Sequence, residues 1–142
     1  MAVTEVVDFA DWDGYQGRVR WRGTWPGTED LTDTVLADIS GLGAAGASAP
    51  TSIKIQRVQA VINGDITVTL EFDASTDQII DQWSGQSDVT NQIVVDYTGG
   101  PNKGVVGSDT AAAGWTGDLL LTTSGGAAGD EVNLTVDFAR SR

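Results

Sequence analysis

The chain has no cysteine and no histidine. Without cysteine there is no disulfide framework and no thiolate chemistry. Without histidine the usual zinc sites, the His-dependent triads and the commonest general base are gone. Basic residues are scarce: eight Lys and Arg stand against 20 Asp and Glu, a net charge of −12. That balance favours solubility and disfavours nucleic-acid backbones, which need a basic footprint. No apolar run reaches the length of a membrane span, and the opening MAVTEVVDFADWDG carries no basic, apolar leader. Neither nucleic acid nor membrane is therefore expected as a partner. P-loop, dinucleotide fingerprint and nucleophile elbow are also absent.

Glycine, in contrast, is abundant, with 18 among 142 residues, and it comes with many Thr, Val and Asp. That mixture predicts short strands and many turns. The length suits one domain over 1–142, with residues 1–14 as a candidate extended arm, and lets the chain bury roughly two-thirds of its unfolded surface.

The strongest local pattern runs from Ser52 to Asp73. Ile66, Val68, Leu70 and Phe72 alternate with Thr67, Thr69, Glu71 and Asp73, a strand with one dry and one wet face. Upstream, Val58, Ala60 and Ile62 share a face, but Ile53 and Ile55 fall in the opposite phase. Either a β-bulge near Gln56-Arg57 resets the alternation, or both faces are partly covered. Asn63-Gly64 between the two runs is a hairpin signal. A three-residue loop through Asp65, pairing Ile62 with Ile66 and Ala60 with Val68, would put the apolar residues together.

Elsewhere, residues 3–9 form a weakly patterned first strand. RVRWRGTW at Arg18–Trp25 is a strong one, with Val19, Trp21 and Trp25 on one face and Arg18, Arg20 and Arg22 on the other. After Leu31 we expect a loop and then a strand around Val35–Ile39. Residues 73–84 fit a short helix or a strand equally. QIVVDY, DLLLTT and EVNLTVDF are strands, the last with Val132, Leu134, Val136 and Phe138 inward. Residues 41–52 and 99–117 are long Gly-rich loops, of a kind that tends to be functional. In all, about eight or nine short strands with turn-rich spacing point to an all-β, antiparallel β-sandwich of jelly-roll-like form.

Few residues suggest chemistry. Asp11 and Asp13 before Gly14 match only the start of a calcium-loop pattern, and turn-forming Asp explains them. No spacing among the 16 Asp and four Glu singles out a catalytic pair, so no enzymatic activity and no cofactor or metal is expected. Arg18, Arg20 and Arg22 make a row on one strand face. They suit docking on an acidic surface; an ordinary solvated face, or charge guarding a sheet edge, explains them as well. Trp12 and Trp115 lie in turn-rich segments and are the tryptophans to expect at a surface, as partner anchors or as sugar-stacking platforms.

The segments DTVLADISGL (Asp33 to Leu42), ITVTLEFDAST (Ile66 to Thr76), GWTGDLLLTTSG (Gly114 to Gly125) and the closing VNLTVDFARSR resemble small virion structural proteins of tailed bacteriophages, of the capsid decoration (cement, head-stabilising) type. The resemblance spans most of the chain and rests on the order and flavour of segments. It implies a jelly-roll-like sandwich, often a trimer, made in the host cytoplasm and bound to the outside of the major capsid protein lattice, with no catalytic residues. Two other functions stay open: a carbohydrate-binding or adhesin module of a virion, and a tail or connector subunit.

Overall fold

The computed structural model describes residues 2–10, 14–42, 50, 52–86 and 89–141, with backbone alone for residues 8–10. Among the described residues, nine strands form two antiparallel sheets. They are β1 (Thr4–Ala10), β2 (Gln16–Thr24), β3 (Thr34–Ala37), β4 (Ile53–Asn63), β5 (Thr67–Phe72), β6 (Gln78–Ser84), β7 (Thr90–Asp96), β8 (Leu119–Ser124) and β9 (Glu131–Arg140). Sheet A has the order β1-β2-β9-β4-β7 and sheet B the order β3-β8-β5-β6.

This order is that of a jelly roll. Strands pair as β2 with β9, β3 with β8, β4 with β7 and β5 with β6, all antiparallel. The chain is thus one long hairpin, doubled at the β5–β6 turn and rolled so that successive pairs alternate between sheets. Lateral pairing of β9 with β4 and of β8 with β5 closes each sheet. β1 is an addition at the edge of sheet A and pairs along its whole length with β2.

The expected alternation holds where it was clearest. Ile66, Val68, Leu70 and Phe72 are buried, as are Val19, Trp21 and Trp25 and the row Val132, Leu134, Val136 and Phe138. The bulge is real: Ile55 pairs with Phe138 and Arg57 with Asp137, so Gln56 is the extra residue. It returns Val58, Ala60 and Ile62 to the core side shared by Ile53 and Ile55.

The hairpin at Asn63-Gly64 is corrected. β4 and β5 do not pair; β4 lies in sheet A between β9 and β7, and β5 in sheet B between β8 and β6. Gly64, at φ 113, still makes a turn, but it carries the chain from one sheet to the other. The apolar faces of the two runs meet across the core instead of side by side. A period of two predicts which face is dry and is silent on which strand lies alongside.

Residues 73–84 resolve as a turn followed by strand β6, with no helix; the Asp77 carboxylate accepts from Ala74 N–H at 3.1 Å within that turn. The expected strand around Val35–Ile39 is the shorter β3, ending in one 3-10 turn at Ile39–Gly41. The loop after β7 is fastened at several points. Val105 exchanges both backbone hydrogen bonds with Ile55, at 2.8 and 2.9 Å. Gln78 on β6 accepts from Ser108 Oγ and Asp109 N–H and donates to Asp109 O. At the open side of the sandwich, Tyr97 just after β7 donates to Asp81 Oδ2 on β6 at 2.6 Å and joins the two sheet edges. Burial and that carboxylate both push the phenol's pKa well up. No helix among the described residues is long and apolar enough to cross a membrane.

Candidate docking face

Strand register places the three arginines of β2. Residues paired across neighbouring strands share a face. The solvent face of sheet A therefore reads, row by row: Val6, Arg22, Asn133, Val61 and Gln92 across β1, β2, β9, β4 and β7; then, from β2 onward, Arg20, Thr135, Gln59 and Val94; then Arg18, Asp137, Arg57 and Asp96. Arg18, Arg20 and Arg22 stand in a column on this face, and Arg57 extends it two strands away.

The column is not a bare stripe. Arg18 forms a two-pronged pair with Asp137, Nε to Oδ1 at 2.5 Å and Nη2 to Oδ2 at 3.2 Å. Arg22 Nε lies 3.1 Å from Glu131 Oε1. The Asn133 side chain and then Arg22 hold the Glu131 carboxyl below its usual range. Asp96 is also held low, by hydrogen bonds from the Thr98 hydroxyl and N–H and more weakly by the charge of Arg57. Arg20 is exposed. Among these charges stand Val6 and Val94, each about three-fifths exposed. Two shallow hollows of about 190 and 300 Å³ meet at Asn133 and Thr135. Arginine heads beside solvent-exposed apolar side chains are the composition of a protein interface.

Sheet B is the opposite in charge. None of its strands contains Lys or Arg. Seven of the eight basic residues are described, Arg142 being the exception, and Arg18, Arg20, Arg22, Lys54, Arg57 and Arg140 lie on strands of sheet A. Lys103 sits in the loop that bridges to β4. On the outside of sheet B, Asp33, Glu71 and Asp77 converge, with one oxygen from each within 4.8 Å of the others. Oxygen donors of this kind suit a hard dication. Burial, and then the charges of Asp77 and Asp33, push the Glu71 carboxyl up against a hydrogen bond from Thr122.

The tryptophans follow expectation in part. Trp21 and Trp25 are core and meet edge-on, centroids 6.2 Å apart. Trp21 Nε1 donates to Glu5 Oε1 on β1 at 2.9 Å. Trp115 is half-buried and packs on Phe72 at 5.7 Å, so its ring serves mainly as a plug beneath the loop that carries it. Trp83 is likewise half-buried against the core. Trp12, with Asp11 and Asp13, lies outside the described residues, as does most of the 41–52 loop.

Sequence reasoning singled out Arg18, Arg20 and Arg22 but missed Arg57, Asp137, Glu131 and Asp96, which complete the charged lattice. The polar alternation of β9 was visible. That β9 sits between β2 and β4 was not.

No protein-family model and no curated protein matches the chain. Among solved structures it is similar to a protein of the Bacillus endospore appendages, disulfide-linked pili, at 10% identity and a TM-score of 0.38, over 99% of this chain and 91% of that one. It is similar to a carbohydrate-binding module of the CBM4 type at 13% identity and a TM-score of 0.37, over 93% and 89% of the two chains. A structure of infectious bursal disease virus, Gt strain, is similar at 14% identity and a TM-score of 0.34; the match covers 97% of this chain and 32% of that chain.

Proposed function

We propose that this protein is a non-enzymatic virion structural protein of the capsid decoration type, which docks through the solvent face of sheet A on the outside of a phage head. The carrying observation is the charge partition: in a chain of net charge −12, the described cations gather on sheet A and its flanking loop, and sheet B has none on its strands. An acidic partner surface would be attracted by one face and repelled by the other, which fixes orientation as well as affinity. The partner is the major capsid protein, with a trimer as the assembling unit. Binding only to the assembled shell stabilises that shell by mass action. The sequence resemblance to phage decoration proteins points the same way.

The test uses heads stripped of this protein. Wild type is expected to rebind, to raise the temperature at which the heads open, and to lose affinity as salt rises. Arg18→Ser, Arg20→Ser and Arg22→Ser together should fold normally and bind about tenfold more weakly or worse. Full-strength rebinding by the triple variant, or wild type that leaves head stability unchanged, would overturn the proposal. Binding to glycans and not to heads would replace it with the carbohydrate-binding reading. Label at a single vertex would indicate a tail or connector subunit.

A further inference from the structure

We propose that the cleft between Tyr15, Lys54, Lys103 and Arg140 is a binding site for a short acidic peptide segment. The cleft measures about 480 Å³ and is formed where the start of β4, the end of β9 and two loops meet. Sites for small ligands typically span roughly 300–1,000 Å³. Three of the seven described cations line it, and no described lining residue is acidic. That is a local reversal of sign in a strongly acidic chain.

The walls are built and not merely adjacent. Arg140 N–H donates to Tyr15 O at 2.7 Å, and Arg140 Nε to Gly14 O at 3.2 Å. Ser141 is held by Ser52 through a backbone bond and a hydroxyl bond. On the other side, the Val105–Ile55 bridge brings the 99–117 loop down onto β4. Gly104 permits that approach, since a Cβ there would meet Ile55 O at 2.9 Å and Lys54 Cβ at 3.2 Å.

Lys103 adds a second observation. It sits at φ 57, the left-handed region that residues with a Cβ avoid, Asn and Asp least. A lysine at a strained turn, on the lip of a cationic cleft, points to use of its side chain. Neither Lys54 nor Lys103 has an ion pair with a described residue.

The lining selects the ligand class. Ammonium groups act as compact point charges for carboxylates, and Pro101, Val106 and the exposed Tyr15 ring give apolar surface between them. A few carboxylates on an aliphatic backbone match both. A long polyanion would be repelled by the net charge of −12 beyond the cleft.

The experiment is a titration of the full, isotope-labelled chain with acetylated, amidated Glu-Asp-Ala-Glu-Asp, followed by amide NMR shifts. It needs no capsid, so its outcome is separate from head binding. Shifts are expected to cluster at Lys54, Lys103 and Arg140 and to shrink as salt is raised. Lys54→Gln with Lys103→Gln should weaken binding roughly fivefold per lysine, while Lys54→Arg with Lys103→Arg should retain it. The free variants' spectra verify folding. Four results would each overturn the assignment: no shifts in the cleft, an equal response to an uncharged control peptide, acetylated and amidated Gln-Asn-Ala-Gln-Asn, unchanged affinity in the Gln variant, or inorganic phosphate binding as well as the peptide.

Discussion

Gly23 lies in β2 on the core side, between Trp21 and Trp25, and the two indoles occupy the space a side chain would need. A Cβ at position 23 would sit 2.3 Å from Trp21 Cη2, 2.8 Å from its Cζ2 and 2.9 Å from Trp25 Cζ3. Carbon atoms in contact rest about 3.5–4.0 Å apart, so Gly23→Ala must open a gap of more than an ångström. Neither ring yields easily. Each tryptophan is 2% exposed, they pack edge-on at 73°, and Trp21 is anchored by its hydrogen bond to Glu5. Overpacking of this kind costs about 1–3 kcal/mol, and loss of the indole hydrogen bond adds about 1 kcal/mol. Alanine regains about 0.5–1 kcal/mol by restricting the unfolded chain. The net expectation is a destabilisation of about 1–3.5 kcal/mol, or a fall of about 3–12 °C in Tm for a chain of this size. Urea and thermal unfolding, followed by tryptophan fluorescence and far-UV circular dichroism, measure it. A double-mutant cycle with Trp25→Leu sharpens the result, because the smaller side chain makes room and Gly23→Ala should then cost less. A loss below about 0.5 kcal/mol for Gly23→Ala alone, or strict additivity in the cycle, would refute the steric account.

Two further predictions concern charge and the sheet edges. Burial and like charge raise the folded-state pKa of Glu71, so its contribution to stability is fully present below the ordinary carboxylate range and is lost as pH rises through the raised value. Glu71→Gln should therefore stabilise the protein by about 0.5 kcal/mol at neutral pH and by nothing in acid; urea midpoints across pH decide this, and a loss at neutral pH would contradict it. Tyr97→Phe removes the bond between the β7 and β6 edges and should cost about 1–2 kcal/mol, read as a lowered urea midpoint with unchanged slope; an unchanged midpoint would mean that solvent replaces the bond at no loss.

Much of this architecture is written locally. The alternation at Ile66–Phe72 and at Val132–Phe138 names the buried face outright, because a strand in a two-layer fold cannot hide its period. The phase break between Ile55 and Val58 located the bulge within a residue of Gln56. Residues 73–84 were ambiguous because the spacing of Ile79, Ile80 and Trp83 suits a helical turn in a segment short enough to be a strand, and the choice fell to pairing with β5. The Arg column was legible because its three members share one strand. Its carboxylate partners lie more than a hundred residues away, and nothing local marks them.

The sequence by itself determined the class of fold, the dry face of each clear strand, the absence of thiol and imidazole chemistry, and the row formed by Arg18, Arg20 and Arg22. These follow from side-chain type and a two-residue period, which the chain carries at every point. Tertiary structure decided which strands are neighbours. It turned Asn63-Gly64 from a hairpin turn into a crossover, set Asp137 and Glu131 beside the arginines, gathered Lys54, Lys103 and Arg140 around one cleft, and sorted cations to one sheet. Each of these depends on pairing between distant segments. That choice is made by the whole core at once, when two sheets close over a shared apolar layer, and no short stretch of sequence carries it.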